Sequence, residues 1–268
     1  MSKNYIVIIA HAHSGSTYLC RLMRNISELN VLLEIFHFKL EVIKSYLKDL
    51  YPILSDRLNF PNDEKLIRTH ILKHCQKYLS ILQEKNRDPN KILTFKVFPG
   101  HLPYRQLSEI LGESRLILIL HRNLLHSYIS NTIAVKMQKW GNIDTSQEKV
   151  KFSDVNFINH VSQVTKFYDS VKDIVEKSNV KCIELDYETY SNSENPLPLL
   201  VTKLRGALDI YLQFTNDNIN IVKQDKRRFA SDKVLNLSEM LHYLNNYGLE
   251  QLNDGQSNIS YDEYSNLK

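Results

Sequence analysis

The sequence predicts a single α/β domain with a central parallel sheet flanked by helices. Three observations carry that prediction. Short β-branched or leucine-rich runs occur without polar alternation, amphipathic stretches separate them, and a small-residue loop joins the first run to the first helical pattern. A chain of 268 residues, 43% hydrophobic and 24% charged, has material for one sizeable core. That balance excludes a disulfide-stapled peptide and wholesale disorder. No apolar run approaches the roughly 18 residues that span a bilayer, and Tyr5 to Ala10 is too short for a signal-peptide core. Cys20, Cys75 and Cys182 are odd in number, far apart and outside any CxxC, so they read as free thiols of a reducing, cytoplasmic compartment. A net charge of +4 suits an anionic small ligand without calling for nucleic acid.

Taken in order, Tyr5 to Ala10 reads as a buried parallel strand, broken at His11 to Gly15, with a helix from Ser16 carried by Leu19, Leu22, Met23 and Ile26. Val31 to Phe36 is a second strand or the lead into a helix over Leu40 to Leu50. Lys65 to Leu82 reads as one helix, Asn86 to Asn90 as a turn, and Ile92 to Phe98 as a strand ended by Pro99 and Gly100. A helix over Tyr104 to Leu111 leads to Leu116–Leu120, the clearest buried strand. Helices are expected over Asn123 to Lys139 and Asn156 to Lys177, with a polar loop from Trp140 between them. A strand over Val180 to Leu185, a loop over Ser191 to Pro198 and a helix over Leu199 to Tyr211 follow. The domain is expected to run from 1 to 250, with 38–90 an insertion or acceptor-side cap and 251–268 a mobile tail.

The loop after the first strand is the first candidate site. Unpaired N–H groups at a helix start face the positive end of the helix dipole and favour an anion. In His13-Ser-Gly-Ser-Thr17 the glycine permits close backbone approach, and the hydroxyls add hydrogen bonds. An ordinary turn with Ser14 or Ser16 as N-cap is the alternative. The GxxxxGK[ST] pattern of a triphosphate loop is not met, because Ala10 to Thr17 holds only Gly15 and no lysine. The lysine–magnesium apparatus of ATP chemistry is therefore missing.

The string Ile8 to Leu19 resembles the 5′-phosphosulfate loop of sulfotransferases that use 3′-phosphoadenosine-5′-phosphosulfate (PAPS), in which a basic residue precedes SG[ST][ST]. Ser14, Gly15, Ser16 and Thr17 match, and His13 stands where the family carries Lys or Arg. A second string, His121 to Ser130, resembles the family's 3′-phosphate motif, an arginine at a strand end followed eight residues on by a serine. Arg122 and Ser130 hold those places, and eight residues of helix are little more than two turns, which keeps both on one side. Leu33 to Phe36 resembles the Glu-x-Phe segment of bacterial and carbohydrate-type members, Phe95 to Leu102 the central strand and its loop, and Asp186 to Tyr190 a late strand end.

The resemblance implies a P-loop-like sulfotransferase architecture, PAPS as co-substrate, adenosine 3′,5′-bisphosphate as product, no metal, and a small-molecule or carbohydrate acceptor. Cofactor contacts fall on His13, Ser14, Gly15, Ser16, Thr17, Arg122 and Ser130, and on Lys223, Arg227 and Arg228 of a late basic loop in which four of six residues are cationic. Catalytic roles fall on Glu34 as general base, with His101 as its rival, and on His13 beside the leaving phosphate. Lys96 either touches the sulfate or ends a strand in solvent. His70 and His74 have the i, i+4 spacing of zinc ligands, but no third ligand accompanies them. A divergent small-molecule or nucleotide kinase, and a non-catalytic nucleotide-binding protein of the same fold, are the alternative readings.

Overall fold

The computed structural model describes residues 4–85, 88, 90–139, 144–215, 227 and 229–254. Five strands, β1 (Tyr5–Ile9), β2 (Leu29–Val31), β3 (Ile92–Val97), β4 (Leu116–His121) and β5 (Cys182–Asp186), form one parallel sheet in the order β2-β3-β1-β4-β5. The apolar runs lack alternation because both faces are covered. On β1, Tyr5, Val7 and Ile9 enter one core, and Ile6, Ile8 and Ala10 enter the other. β3 is buried throughout, including Thr94 and Lys96 on the second face.

The smaller core is closed by α1 (Ser16–Met23), α9 (Tyr187–Asn192) and α10 (Pro196–Leu208). The larger is closed by α2 (Leu40–Leu47), α3 (Leu50–Leu58), α4 (Glu64–Lys73), α5 (Cys75–Glu84), α6 (Tyr104–Gly112), α7 (Leu124–Met137), α8 (Asp154–Lys177) and α11 (Leu237–Asn246). Among the described residues no helix is long and apolar enough to cross a membrane. All three cysteines are free thiols, and Cys20 and Cys75 are buried.

Several sequence expectations are corrected. The second strand is Leu29–Val31, and residues 32–39 are the lead into α2 that the sequence left as the alternative. Lys65 to Leu82 is two helices, because the chain breaks at His74, whose φ of −117° and ψ of 31° lie outside the helical well. Its ring lies 4.6 Å from that of His70, tilted by 46°, and His70 donates Nε2–H to the Leu58 carbonyl at 2.8 Å. The helix expected from Leu199 begins at Pro196, a residue suited to a first helical turn, and α9 occupies what reads as strand end and loop. Helices α3 and α11 are additions to the sequence reading. Of the Asn86 to Asn90 turn only Asp88 and Asn90 are described, and Trp140 lies outside the described residues.

Of the first four strands, only β1 is followed by a helix on the α10 side, whereas α2, α6 and α7 leave toward the other face. The carboxyl end of β1 is therefore a topological switch point, the position at which open α/β sheets form a ligand crevice.

The packed domain extends past residue 250. Residues Glu250–Asp254 form a 3-10 turn in which Leu252 is fully buried and its carbonyl accepts Asn123 Nδ2–H at 2.9 Å. Leu252→Ala is expected to lower the unfolding free energy by about 2–5 kcal/mol, read from urea denaturation. A loss below about 1 kcal/mol would place this turn outside the cooperative core.

Candidate active site

The loop from His11 to Gly15 turns on two residues of positive φ, His13 at 60° and Gly15 at 83°. Gly15 is required twice over. Its φ suits glycine, and a Cβ there would lie 2.1 Å from Cδ2 of Tyr187. The start of α1 carries no side-chain cap and no acidic residue in its first turn, so its N–H groups and dipole keep their affinity for negative charge. Ser14 is fully buried, and its hydroxyl has no hydrogen-bond partner.

Arg122, one residue beyond the buried end of β4, reaches into this loop. One Nη donates to the His13 carbonyl, and the other donates to Ser130 Oγ at 3.4 Å. The guanidinium lies 4.7 Å from the centre of the Tyr187 ring, which is thus sandwiched between Gly15 and Arg122. Glu188 approaches Arg122 Nε only to 3.9 Å. Burial dominates over that neighbouring charge and pushes the Glu188 carboxyl up to about 8. At neutral pH Glu188 is mostly protonated.

His11, His13 and His160 lie around this cation and are held neutral. His13 is lowered to about 4 by burial, then by Arg122 and His160. His160 is lowered to about 4 by burial, and His11 well below its ordinary range by burial and by His160. Tyr168 donates its hydroxyl to the Leu120 carbonyl at 2.7 Å and accepts His11 Nδ1–H at 3.1 Å, so His11 Nε2 is a buried lone pair without a partner. Ser127 donates to Leu124 O and accepts His160 Nε2–H at 2.9 Å.

A second group lies on the β3 side of the loop. Beyond β2 the chain stays beside β3, since Leu32 N–H donates to Thr94 O at 2.8 Å and Lys96 N–H donates to Leu33 O at 3.2 Å. Phe36 packs edge-on against Phe95, and Tyr78 of α5 donates to the Ile35 carbonyl at 2.9 Å. These contacts hold Glu34 over the end of β3. Lys96, 2% exposed, points to the start of α1, with its ammonium 3.0 Å from Thr17 Oγ1, 3.4 Å from Ser16 Oγ and 3.1 Å from Glu34 Oε1.

The other oxygen of Glu34 faces His37 Nε2 at 3.7 Å and His101 Nε2 at 3.8 Å. These three side chains are close enough to bridge a metal ion. The ring tautomers argue against one. His37 Nδ1 accepts Lys39 N–H at 2.9 Å and His101 Nδ1 accepts Phe98 N–H at 3.2 Å, so each neutral ring carries its proton on Nε2, the atom a metal would need. Burial first, with His37 and Lys96 adding, lowers His101 to about 3. The arrangement is a carboxylate addressed by one ammonium and two imidazole N–H groups.

The structure therefore brings His13, Ser14, Gly15, Ser16, Thr17, Arg122 and Ser130 to one crevice, with Glu34 and His101 at its β3 side. Lys96 is buried there rather than solvated. Arg227 donates to the carbonyls of Thr145 at 2.9 Å and Asp232 at 3.3 Å, and Lys223 and Arg228 lie outside the described residues. Sequence reasoning misses His11, His37 and His160. His37 had one available signal, its i, i+3 spacing from Glu34; His160 reaches the loop only through the packing of α8.

By sequence, comparison with protein-family models and with curated proteins finds no match. By structure, the chain is similar to the sulfotransferase domain of the Synechococcus PCC 7002 olefin synthase. The TM-score is 0.51 at 14% identity, over 98% of this chain and 92% of that one. The fold is thus the α/β, P-loop-like fold that sulfotransferase domains share.

The neutral histidines dictate an acid limb of stability. Unfolded histidines take up protons below about 6.5, whereas His13 and His160 resist until about 4. Stability that is full above pH 6.5 is lost between 6.5 and 4, by roughly 1.4 kcal/mol per pH unit for each group. Glu188, raised to about 8, opposes this with a single proton. Urea midpoints at pH 7, 6 and 5 should fall monotonically; a flat profile would contradict burial of these rings.

Proposed function

We propose that the protein is a sulfotransferase that moves a sulfuryl group from PAPS to a hydroxyl or amine of a small-molecule or carbohydrate acceptor. The observation that carries this reading is the bridging by Arg122. Two motifs that resemble the donor-binding strings of that family, 109 residues apart, meet in one side chain bonded both to the His13 carbonyl and to Ser130. The similarity in fold to a sulfotransferase domain agrees with it.

The residues present fit a doubly phosphorylated nucleotide. The buried, unpartnered Ser14 hydroxyl, the uncapped start of α1 and the cradle at Gly15 suit its 5′ end. Arg122, with Glu188 protonated beside it, offers its guanidinium to the 3′-phosphate beside Ser130. Lys223, Arg227 and Arg228 are further candidates for that phosphate by resemblance. When bound, PAPS supplies a sulfur that is open to attack and an adenosine bisphosphate as leaving group.

In the proposed transfer the acceptor oxygen bonds to sulfur, the sulfur–oxygen bond to the 5′-phosphate breaks, and the acceptor proton passes to Glu34. Glu34 is favoured over His101 on tautomer grounds. The basic nitrogen of His101 is already bonded to Phe98 N–H, and its other nitrogen carries a proton. His13, neutral at physiological pH, serves the leaving phosphate as a neutral hydrogen-bond donor.

Adenosine 3′,5′-bisphosphate should raise the melting temperature of the protein, whereas ATP–magnesium should not. The converse would move the reading to a kinase. Arg122→Ala is expected to weaken bisphosphate binding by about 1.5–3 kcal/mol in calorimetry; unchanged affinity would remove Arg122 from the site. Glu34→Gln should abolish transfer to an acceptor found by screening with PAPS, without weakening nucleotide binding. Retained turnover would shift the base away from Glu34.

A further inference from the structure

A cation on the Glu34 side of the crevice forms no ion pair among the described residues. Arg68 of α4 is half-buried, and its Nη2 donates to the carbonyls of Gly100 at 2.9 Å and His101 at 3.4 Å, in the turn that follows β3. Its Nε–H is closed off from solvent and meets no acceptor. The ordinary partner for such an arginine is an acid one helical turn earlier, and Glu64 stands four residues before it on α4. That carboxylate is taken instead by Lys44 of α2. Across His101 from Arg68, the Glu34 carboxylate is engaged by Lys96 at 3.1 Å. A guanidinium met only by carbonyls, with a buried N–H left over, has charge and donor capacity for a further partner. Its charge is felt at the site, since it helps burial, His37 and Lys96 to hold His101 neutral.

We propose that Arg68 selects the acceptor, by binding an acidic group on the molecule whose hydroxyl or amine reaches Glu34. The acceptor class is then a hydroxy or amino compound that also carries an oxyanion, either a carboxylate or a sulfate or phosphate ester. This deepens the sulfotransferase reading and rests on it. His101 links the two ends of the subsite, because its carbonyl meets Arg68 and its ring faces Glu34 at 3.8 Å. An acceptor lying along that residue places its acid at α4 and its nucleophile at the base. The planar fork of a guanidinium matches an oxyanion in charge and in geometry. A neutral acceptor gives Arg68 nothing that the two carbonyls do not already give. A purely structural clamp on the turn would use the Nη2 bonds alone and would not distinguish an acid from its amide. The selecting charge thus comes from the helices between residues 40 and 84, while the base comes from the segment after β2.

The test is the dose-dependent rise in melting temperature of the full chain, held in saturating adenosine 3′,5′-bisphosphate so that the donor site is filled. Benzoate, phenyl sulfate and phenyl phosphate are the probes and separate a carboxylate from the two esters. Benzamide is the uncharged control, and ionic strength is matched throughout. At least one oxyanion should raise the melting temperature where benzamide does not. Arg68→Gln should weaken that probe about ten- to a hundredfold and leave bisphosphate affinity within twofold of wild type. In the wild type the same probe should shield Arg68 from phenylglyoxal, read by peptide mass spectrometry, which keeps the test where Arg68→Gln fails to fold. No response to any oxyanion, or an equal response to benzamide, overturns the assignment while leaving the donor site standing. So does a response that survives Arg68→Gln, which places the anion elsewhere, and so does an Arg68 that the probe leaves unshielded. A matching loss of bisphosphate affinity in Arg68→Gln marks a structural role and overturns it too. A wild type that the bisphosphate does not stabilise overturns the sulfotransferase reading itself.

Discussion

A lysine ammonium buried at the end of a sheet strand has to be met by an opposite charge and by hydrogen-bond acceptors. Otherwise its desolvation costs several kcal/mol. Lys96 imposes that requirement on this fold. β3 lies between β2 and β1, so the partners must come from the segments that leave those two strands. Glu34 comes from the chain after β2, kept alongside β3 by two backbone hydrogen bonds and pinned from behind by Phe36 and Tyr78. The hydroxyls of Ser16 and Thr17 come from the helix after β1. The helices between residues 40 and 84 thereby take on a second role. Through Tyr78 and the core around Phe36 they hold the segment that presents Glu34.

The two sides of the crevice are electrostatically unlike. Around Arg122, His11, His13 and His160 are deprotonated and Glu188 is protonated by burial at physiological pH. Around Lys96 the charge is balanced by Glu34 at 3.1 Å. Tyr187 ties Arg122 to the loop, since its ring lies against Gly15 and carries Arg122 on its face.

Strands β1, β3, β4 and β5, the helix from Ser16, those over 104–112, 124–137 and 154–177, and the two motifs that meet at Arg122 were readable in one dimension, because each is a local pattern. Apolar runs without alternation mark strands covered on both faces, and a small-residue loop between strand and helix marks an anion site. The breaks within the helical region after residue 38 were not readable. A helix interrupted at His74 keeps the same amphipathic period on both sides of the break. Nor was the boundary at 250, because Leu252 is a single apolar residue in a polar stretch whose burial depends on α7 and its neighbours.

The same division runs through the site. By itself the sequence determined the loop of residues 13–17, the spacing of Arg122 and Ser130, and Glu34 as a candidate base, since those signals lie within about ten residues of one another in each motif. Tertiary structure alone decided that Lys96 is buried against the helix start, that His37 and His101 present protons to Glu34, and that the histidines around Arg122 are uncharged. Charge state and tautomer depend on burial and on which backbone groups happen to face each ring. Those are set by segments brought together from across the chain, and they leave no mark on the local pattern of residues.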